Sequence, residues 1–168
     1  MYSNPGDMFC IFEFYGGDSK DKGCNMIAED VAKRVKAIDL NMPCKVDENN
    51  SPADTQLWTV INGHNIADDF SKHAVKWAKA SKGPGSRVAG LLMLRKYLSN
   101  AKTGNGPKLV FFDHCRNCIR TIPTLPRSKV NPEDMETLGV PDHLADSVKY
   151  KLMTRKHKTI NSDLVGMV

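Results

Sequence analysis

The chain has 168 residues, 40% of them hydrophobic and 26% charged, with a formal net charge of +5. That length suits one domain with its own core, and no apolar run approaches the roughly 18 residues that span a bilayer. Five cysteines, an odd number, argue against a full disulfide framework and for a reducing, cytosolic setting.

In chain order, residues 8–15 (MFCIFEFY) are aromatic and β-prone and predict a strand. GGDSKDKG is a polar turn. Residues 26–40 place Ile27, Val31, Val35 and Ile38 at helical spacing. NMPCKVDENNSPAD contains turn formers and ends at Asp54. TQLWTVI predicts a short helix, 65–73 a further helix, and Val75–Ala80 a short strand. SKGPGS is a loop. Residues 86–99 predict an amphipathic helix with Val88, Leu91, Leu92 and Leu98 facing inward. Pro107–Asp113 reads as a buried strand, and 114–122 as a helix stopping before Pro123. Residues 123–141 are irregular. A final helix runs from about 142 to 156, with Leu144, Val148 and Leu152 as its apolar stripe. Strands alternating with helices predict an α/β domain with a mixed sheet.

Several groups of side chains could carry chemistry. Asp142, His143 and Asp146 gather at the start of the last helix, where His143 and Asp146 share a face. Asp142 fits an N-cap, and Asp146 could be merely solvated. Equally, hard divalent cations take oxygen ligands, and magnesium leans on one or two carboxylates plus substrate phosphates. Asp54 in SPADTQLW is a second such acid, or else a helix cap. Asp113 ends a strand and could be a further acid or the cap of the helix at 114. His114, Cys115 and Cys118 contain a CxxC. A structural zinc needs four ligands, however, and Cys10, Cys24 and Cys44 are scattered singly. No thioredoxin-like context surrounds the pair, so these cysteines read as lining the start of a buried helix. Lys76, Lys79, Lys82 and Arg87 bracket SKGPGS and could meet phosphates or form a solvated basic surface. Lys149, Lys151, Arg155, Lys156 and Lys158 make a basic C-terminal end. Trp58 and Trp77 read as core.

Taken in order, SPADTQLW, SRVAGLLMLRKYL, LVFFDHCRNCIRTIPTLP, NPEDMET and DHLADSVKY resemble the motifs of the nuclease domain of tailed-bacteriophage large terminases, across about residues 50–155. The resemblance implies an RNase H-like fold, a mixed central β-sheet flanked by helices. It implies a metal-dependent endonuclease that cuts concatemeric phage DNA by two-metal phosphodiester hydrolysis with Mg²⁺ or Mn²⁺. Asp54 matches the family's second acid, and His143 and Asp146 its C-terminal histidine and acid. Lys79, Lys82 and Arg87 are the expected DNA contacts. The implied partners are double-stranded phage DNA, the terminase ATPase domain, the small terminase subunit and the portal protein, in the host cytoplasm and without a membrane. An alternative with the same fold is a non-catalytic DNA-binding or packaging-assembly module. The chain has no G-x-x-x-x-G-K-[ST] loop and so reads as a single nuclease domain over 1–168 without the ATPase. The family's first acid precedes an aromatic-Gly-Tyr-Ser-x-Pro run. Tyr2, Ser3 and Pro5 fit that run, which puts the first acid just before Met1 and implies an impaired nuclease. Asp7 is the nearest substitute metal ligand, in a different register.

Overall fold

In the computed structural model, residues 5–17, 22–23, 25–42, 51–136 and 139–154 are described. Tyr2, Ser3, Cys24, Cys44 and the basic residues Arg155, Lys156 and Lys158 lie outside them, as do the turn at 43–50 and the expected end of the last helix. The described chain is mixed α/β, with five α-helices and four short strands.

Strand β1 (Met8–Cys10) pairs in parallel with β4 (Leu109–Phe111), with Met8 opposite Leu109 and Cys10 opposite Phe111. Strand β2 (Pro52–Ala53) pairs in parallel with β3 (Ala78–Lys79). The expected single mixed sheet is therefore two parallel pairs among the described residues, and antiparallel pairing is confined there to isolated bridges such as Arg127 with Met135. Parallel partners need long crossovers. Here α1 (Ala28–Asn41), α2 (Ile66–Lys72) and α3 (Ser86–Thr103) fall between paired strands.

The predicted strand over 8–15 shortens to β1. The physical reason is Glu13. Its carboxylate turns to α4 (Arg116–Thr121) and accepts the backbone N–H groups of Asn117 at 2.7 Å and Cys118 at 2.8 Å. Those amides lack partners in the first turn of any helix. The expected cap, Asp113, instead points fully into solvent, and Cys115 at the N-cap position makes no side-chain cap. Helical structure also continues past Pro123 as a 3₁₀ turn over Ile122–Thr124. Proline is tolerated at the first turn of a helix, where its missing N–H costs nothing.

The main core joins α3, β4, α4 and α5 (His143–Thr154) through Leu94, Tyr97, Leu109, Cys115, Ile122 and Leu152. A second cluster packs α1 on α2 through Ala32, Phe70 and Val75, with Val31, Val35 and Trp77 against it. Trp77 is thus a packing residue, as expected, and Trp58, partly buried like Trp77, lies beneath the Lys79 ammonium, 5.5 Å from its ring centre. Ile27 is exposed at the N-cap position of α1. On α3 the buried face is Gly90, Leu91, Leu94 and Tyr97. Leu92, expected inside, is 45% exposed. One residue past Leu91 is a turn of about 100° around the helix, which carries Leu92 off the buried stripe.

Helices α3 and α5 pack closely because position 90 is glycine. A Cβ there would collide with Lys149 Cγ and lie 2.7 Å from Lys149 Cδ. The Lys149 stem fills that space, and the residue is only 4% exposed.

Candidate functional site

Strand β2 delivers Asp54. Pro52 has no N–H to give and sits in a strand with one partner, as prolines in sheets do. Ala80 N donates to Ala53 O at 2.9 Å, which fixes the strand end. The chain then turns into a 3₁₀ helix over Thr55–Trp58, and Asp54 caps it by accepting Gln56 N–H at 2.9 Å through Oδ1. The other oxygen, Oδ2, is left to face α5. It accepts the Tyr150 hydroxyl at 2.9 Å and the Lys82 ammonium at 2.5 Å. Capping and site membership are thus two uses of one carboxylate.

Helix α5 delivers the rest. Asp142 occupies its N-cap position, since its carbonyl accepts Asp146 N–H at 2.9 Å. Asp146 stands in the first turn and accepts the Lys149 ammonium at 2.5 Å. Tyr150, one turn beyond Asp146, reaches β2. The ammonium groups of Lys82 and Lys149 lie 5.8 and 5.5 Å from the centre of its ring. Asp142, Asp146, Lys149 and Tyr150 line a cleft of about 470 Å³ with Lys82, Gly83 and Gly85 of the SKGPGS loop and Arg87 of α3. Gly85 ends that loop in the left-handed region, at φ 76°, where a side chain is costly.

The electrostatics follow from this packing. Burial pushes the Asp54 carboxyl up, but the Lys82 ammonium, the Gln56 amide and the Tyr150 hydroxyl outweigh it and hold the group below the ordinary aspartate value. Tyr150 moves the opposite way. Burial, its hydrogen bond to Asp54 and the negative charges of Asp146, Asp54 and Asp142 all keep its proton on. Its hydroxyl is therefore a fixed donor to Asp54.

Of the sequence-predicted residues, Asp146, Lys82 and Arg87 line one cleft, and Asp54 stands beside it, bonded to Lys82 and Tyr150 without lining it. Arg87 is also committed to α3–loop packing: it pairs with Asp134 at 2.8 Å and donates to Met135 O at 2.7 Å. Lys79 stands over Trp58 and does not line the cleft. His143 is 87% exposed, with Nδ1 3.8 Å from Asp142 Oδ1, and does not line the cleft. Asp7 lies outside the group. Its side chain is 1% exposed and accepts Lys108 N–H at 3.0 Å, which ties β1 to the start of β4. Tyr150 and Lys149 are the members that sequence reading missed. Their signal was available in spacing: they follow Asp146 by four and three residues and so share its helix face.

Among the described residues, no three His, Cys, Asp or Glu side chains form a group that could hold a metal ion. Asp54 and Asp146 nevertheless match in type and number the one or two carboxylates on which a magnesium-like ion relies beside substrate phosphates. Each carries a lysine ammonium where a cation would be drawn. Of the described helices, none is long and apolar enough to cross a membrane. No family model, curated protein or solved structure matches this chain.

Proposed function

We propose that this chain is an RNase H-like, metal-dependent DNA endonuclease domain of the kind found in tailed-bacteriophage large terminases, acting on concatemeric viral DNA in the host cytoplasm. The observation that carries the reading is that Asp54, at the end of β2, is bonded to Tyr150 and Lys82, two residues that line the same cleft as Asp146 of α5 and Arg87. Parallel strands joined by helical crossovers, with an acid at the start of a C-terminal helix, are in keeping with the RNase H-like order. Asp54 and Asp146 would hold Mg²⁺ or Mn²⁺. When bound, such an ion supplies an activated water and offsets charge on the phosphate oxygens. The protein's own groups do the rest. Lys82 and Arg87 bind backbone phosphates at the cleft mouth. Tyr150 orients the Asp54 carboxylate through its hydroxyl, and Lys149 holds the Asp146 side chain in place from the buried side. A DNA phosphate drawing Lys82 outward would leave Asp54 Oδ2 with the Tyr150 hydroxyl and without its ammonium partner. The direct partner is double-stranded DNA; the ATPase motor, the small terminase subunit and the portal are the assembly partners of this reading.

One observation favours a second reading, a module that grips DNA without cutting it: both carboxylates are already paired with lysines. Nicking of supercoiled plasmid in Mn²⁺, measured beside DNA binding by anisotropy, separates the two. Nuclease action requires metal-dependent nicking that falls at least about 100-fold in Asp54→Asn and Asp146→Asn, because even residues behind a metal ligand are worth 10–100-fold. Tight DNA binding by a wild-type protein that never nicks in Mg²⁺ or Mn²⁺ rejects the nuclease and leaves the non-cutting module.

A further inference from the structure

We propose that Cys10 and Cys115 form a peroxide-responsive thiol pair, closing into a reversible disulfide between β1 and the start of α4. The inference is independent of the nuclease reading. In sequence Cys10 is an isolated cysteine; the fold brings it to the CxxC. Cys10 is paired opposite Phe111 across the parallel strands. The short return after Phe111 then carries Cys115 back over Cys10. The two sulfurs lie 3.8 Å apart, and the Cys115 thiol also donates to the Cys10 carbonyl at 3.3 Å. Both thiols are free. A disulfide bond is about 2.05 Å long, so the sulfurs must approach by a little under about 2 Å.

The two thiols differ in access. Cys115 is fully buried. Cys10 is half-buried and lines an open, largely apolar cleft of about 560 Å³, together with Phe12, Glu13 and Cys118. A small neutral oxidant therefore meets Cys10 first. The charge environment supports the same order. A hydrogen bond from Cys118 outweighs burial and brings the Cys10 thiol down to about 7, while the Glu13 carboxylate opposes the shift. Burial pushes Cys115 up to about 12, helped by negative charge on Cys10 and Glu13. His114, nearby, carries its ring on the Ile11 carbonyl at 2.5 Å.

The chemistry balances with hydrogen peroxide as the oxidant. The Cys10 thiolate attacks one peroxide oxygen, an S–O bond forms, the O–O bond breaks and hydroxide leaves. Sulfur is oxidised by two electrons and peroxide is reduced. Cys10 is then neutral, so one of the charges holding the proton on Cys115 is gone. The Cys115 sulfur attacks the Cys10 sulfur, the S–O bond breaks, and the departing hydroxide leaves with the Cys115 proton as water. The sum is two thiols plus one peroxide giving a disulfide and two waters. A dithiol reductant reverses it by exchange.

The test uses the full chain, fully reduced and then exposed to a small excess of hydrogen peroxide. Peroxide is removed with catalase, free thiols are alkylated in denaturant, and peptides are mapped without reduction. The expected product is a linked Cys10–Cys115 peptide, lost on dithiothreitol treatment, with Cys10 oxidised about tenfold faster than Cys24 or Cys44, as a thiolate-rich cysteine should be. In Cys115→Ser, that link disappears and dimedone labelling of Cys10 rises. A link from Cys10 to Cys118 in its place, oxidation of Cys24 or Cys44 at the rate of Cys10, or the same pairing at the same rate in urea would each overturn the proposal. The wild-type map decides it even if the serine variant does not fold.

Discussion

Glu13 reaches from beyond β1 to the first turn of α4 and takes two backbone amides and the Asn117 side-chain amide on one carboxylate. It does the work that its position in the chain would assign to Asp113. The energetic consequence is specific. Loss of a helix N-cap costs about 0.5–2 kcal/mol, so Glu13→Ala should lower unfolding free energy by about that much in urea titration. Asp113→Ala, at a fully exposed side chain, should change it by less than about 0.5 kcal/mol. Equal losses in the two variants would refute the assignment. The pH dependence has a definite sign. Burial pushes the Glu13 carboxyl up, but the Asn117 and Cys118 amides hold it below its ordinary 4.5. A group with a depressed folded pKa stabilises the fold above the unfolded value, and that contribution is lost as pH falls through the folded one. The gap between wild type and Glu13→Ala should therefore be full at neutral pH and shrink below about pH 4.5.

Helices α3 and α5 meet through a glycine and a lysine. In most exposed helix interiors, Gly→Ala stabilises by about 1 kcal/mol through propensity. At position 90 the new methyl would overlap the middle of the Lys149 stem rather than its mobile tip. Overpacking a filled core typically costs about 1–3 kcal/mol, so Gly90→Ala should be destabilising on balance. It should also displace the Lys149 ammonium from Asp146, since the stem that carries it must move. Thermal melts of Gly90→Ala and of the double variant Gly90→Ala/Lys149→Ala check this. The double variant should be less destabilised by the glycine change than the wild type is. An unchanged or raised melting temperature in Gly90→Ala alone would show that α3 and α5 are not packed as described.

Over the whole molecule, a net charge of +5 favours phosphate contact without selecting a sequence, and no recognition-helix motif is evident. DNA affinity should thus fall steeply with salt through counterion release. Because Lys82 is paired with Asp54, its share is measurable. Lys82→Ala should weaken binding across all sequences and lower the salt slope by about 1, whereas Lys79→Ala, over Trp58 and off the cleft, should leave the slope unchanged. Anisotropy titrations from low to moderate salt read both. A slope that Lys82→Ala leaves intact would take the cleft off the DNA path.

Local pattern was enough to find the helices over 28–41, 86–103 and 143–154 and the strand before Asp113, because periodicity and turn residues act over a few neighbours. It was also enough to offer Asp54 as a helix cap and to read Cys115 and Cys118 as lining a buried helix, whereas the choice of Asp54 and Asp146 as site acids came from the resemblance. Contacts between segments distant in sequence were decided only by the folded chain. Sequence periodicity could not foresee that Glu13 would take the cap from Asp113, that Asp7 would be buried against Lys108, or that His143 would face solvent. The two strand pairs, the meeting of Asp54 with Tyr150 and the approach of Cys10 to Cys115 are of the same kind. A carboxylate, a hydroxyl or a thiol has no preferred partner in the local chain. Burial makes a partner obligatory, and packing determines which one is within about 3 Å.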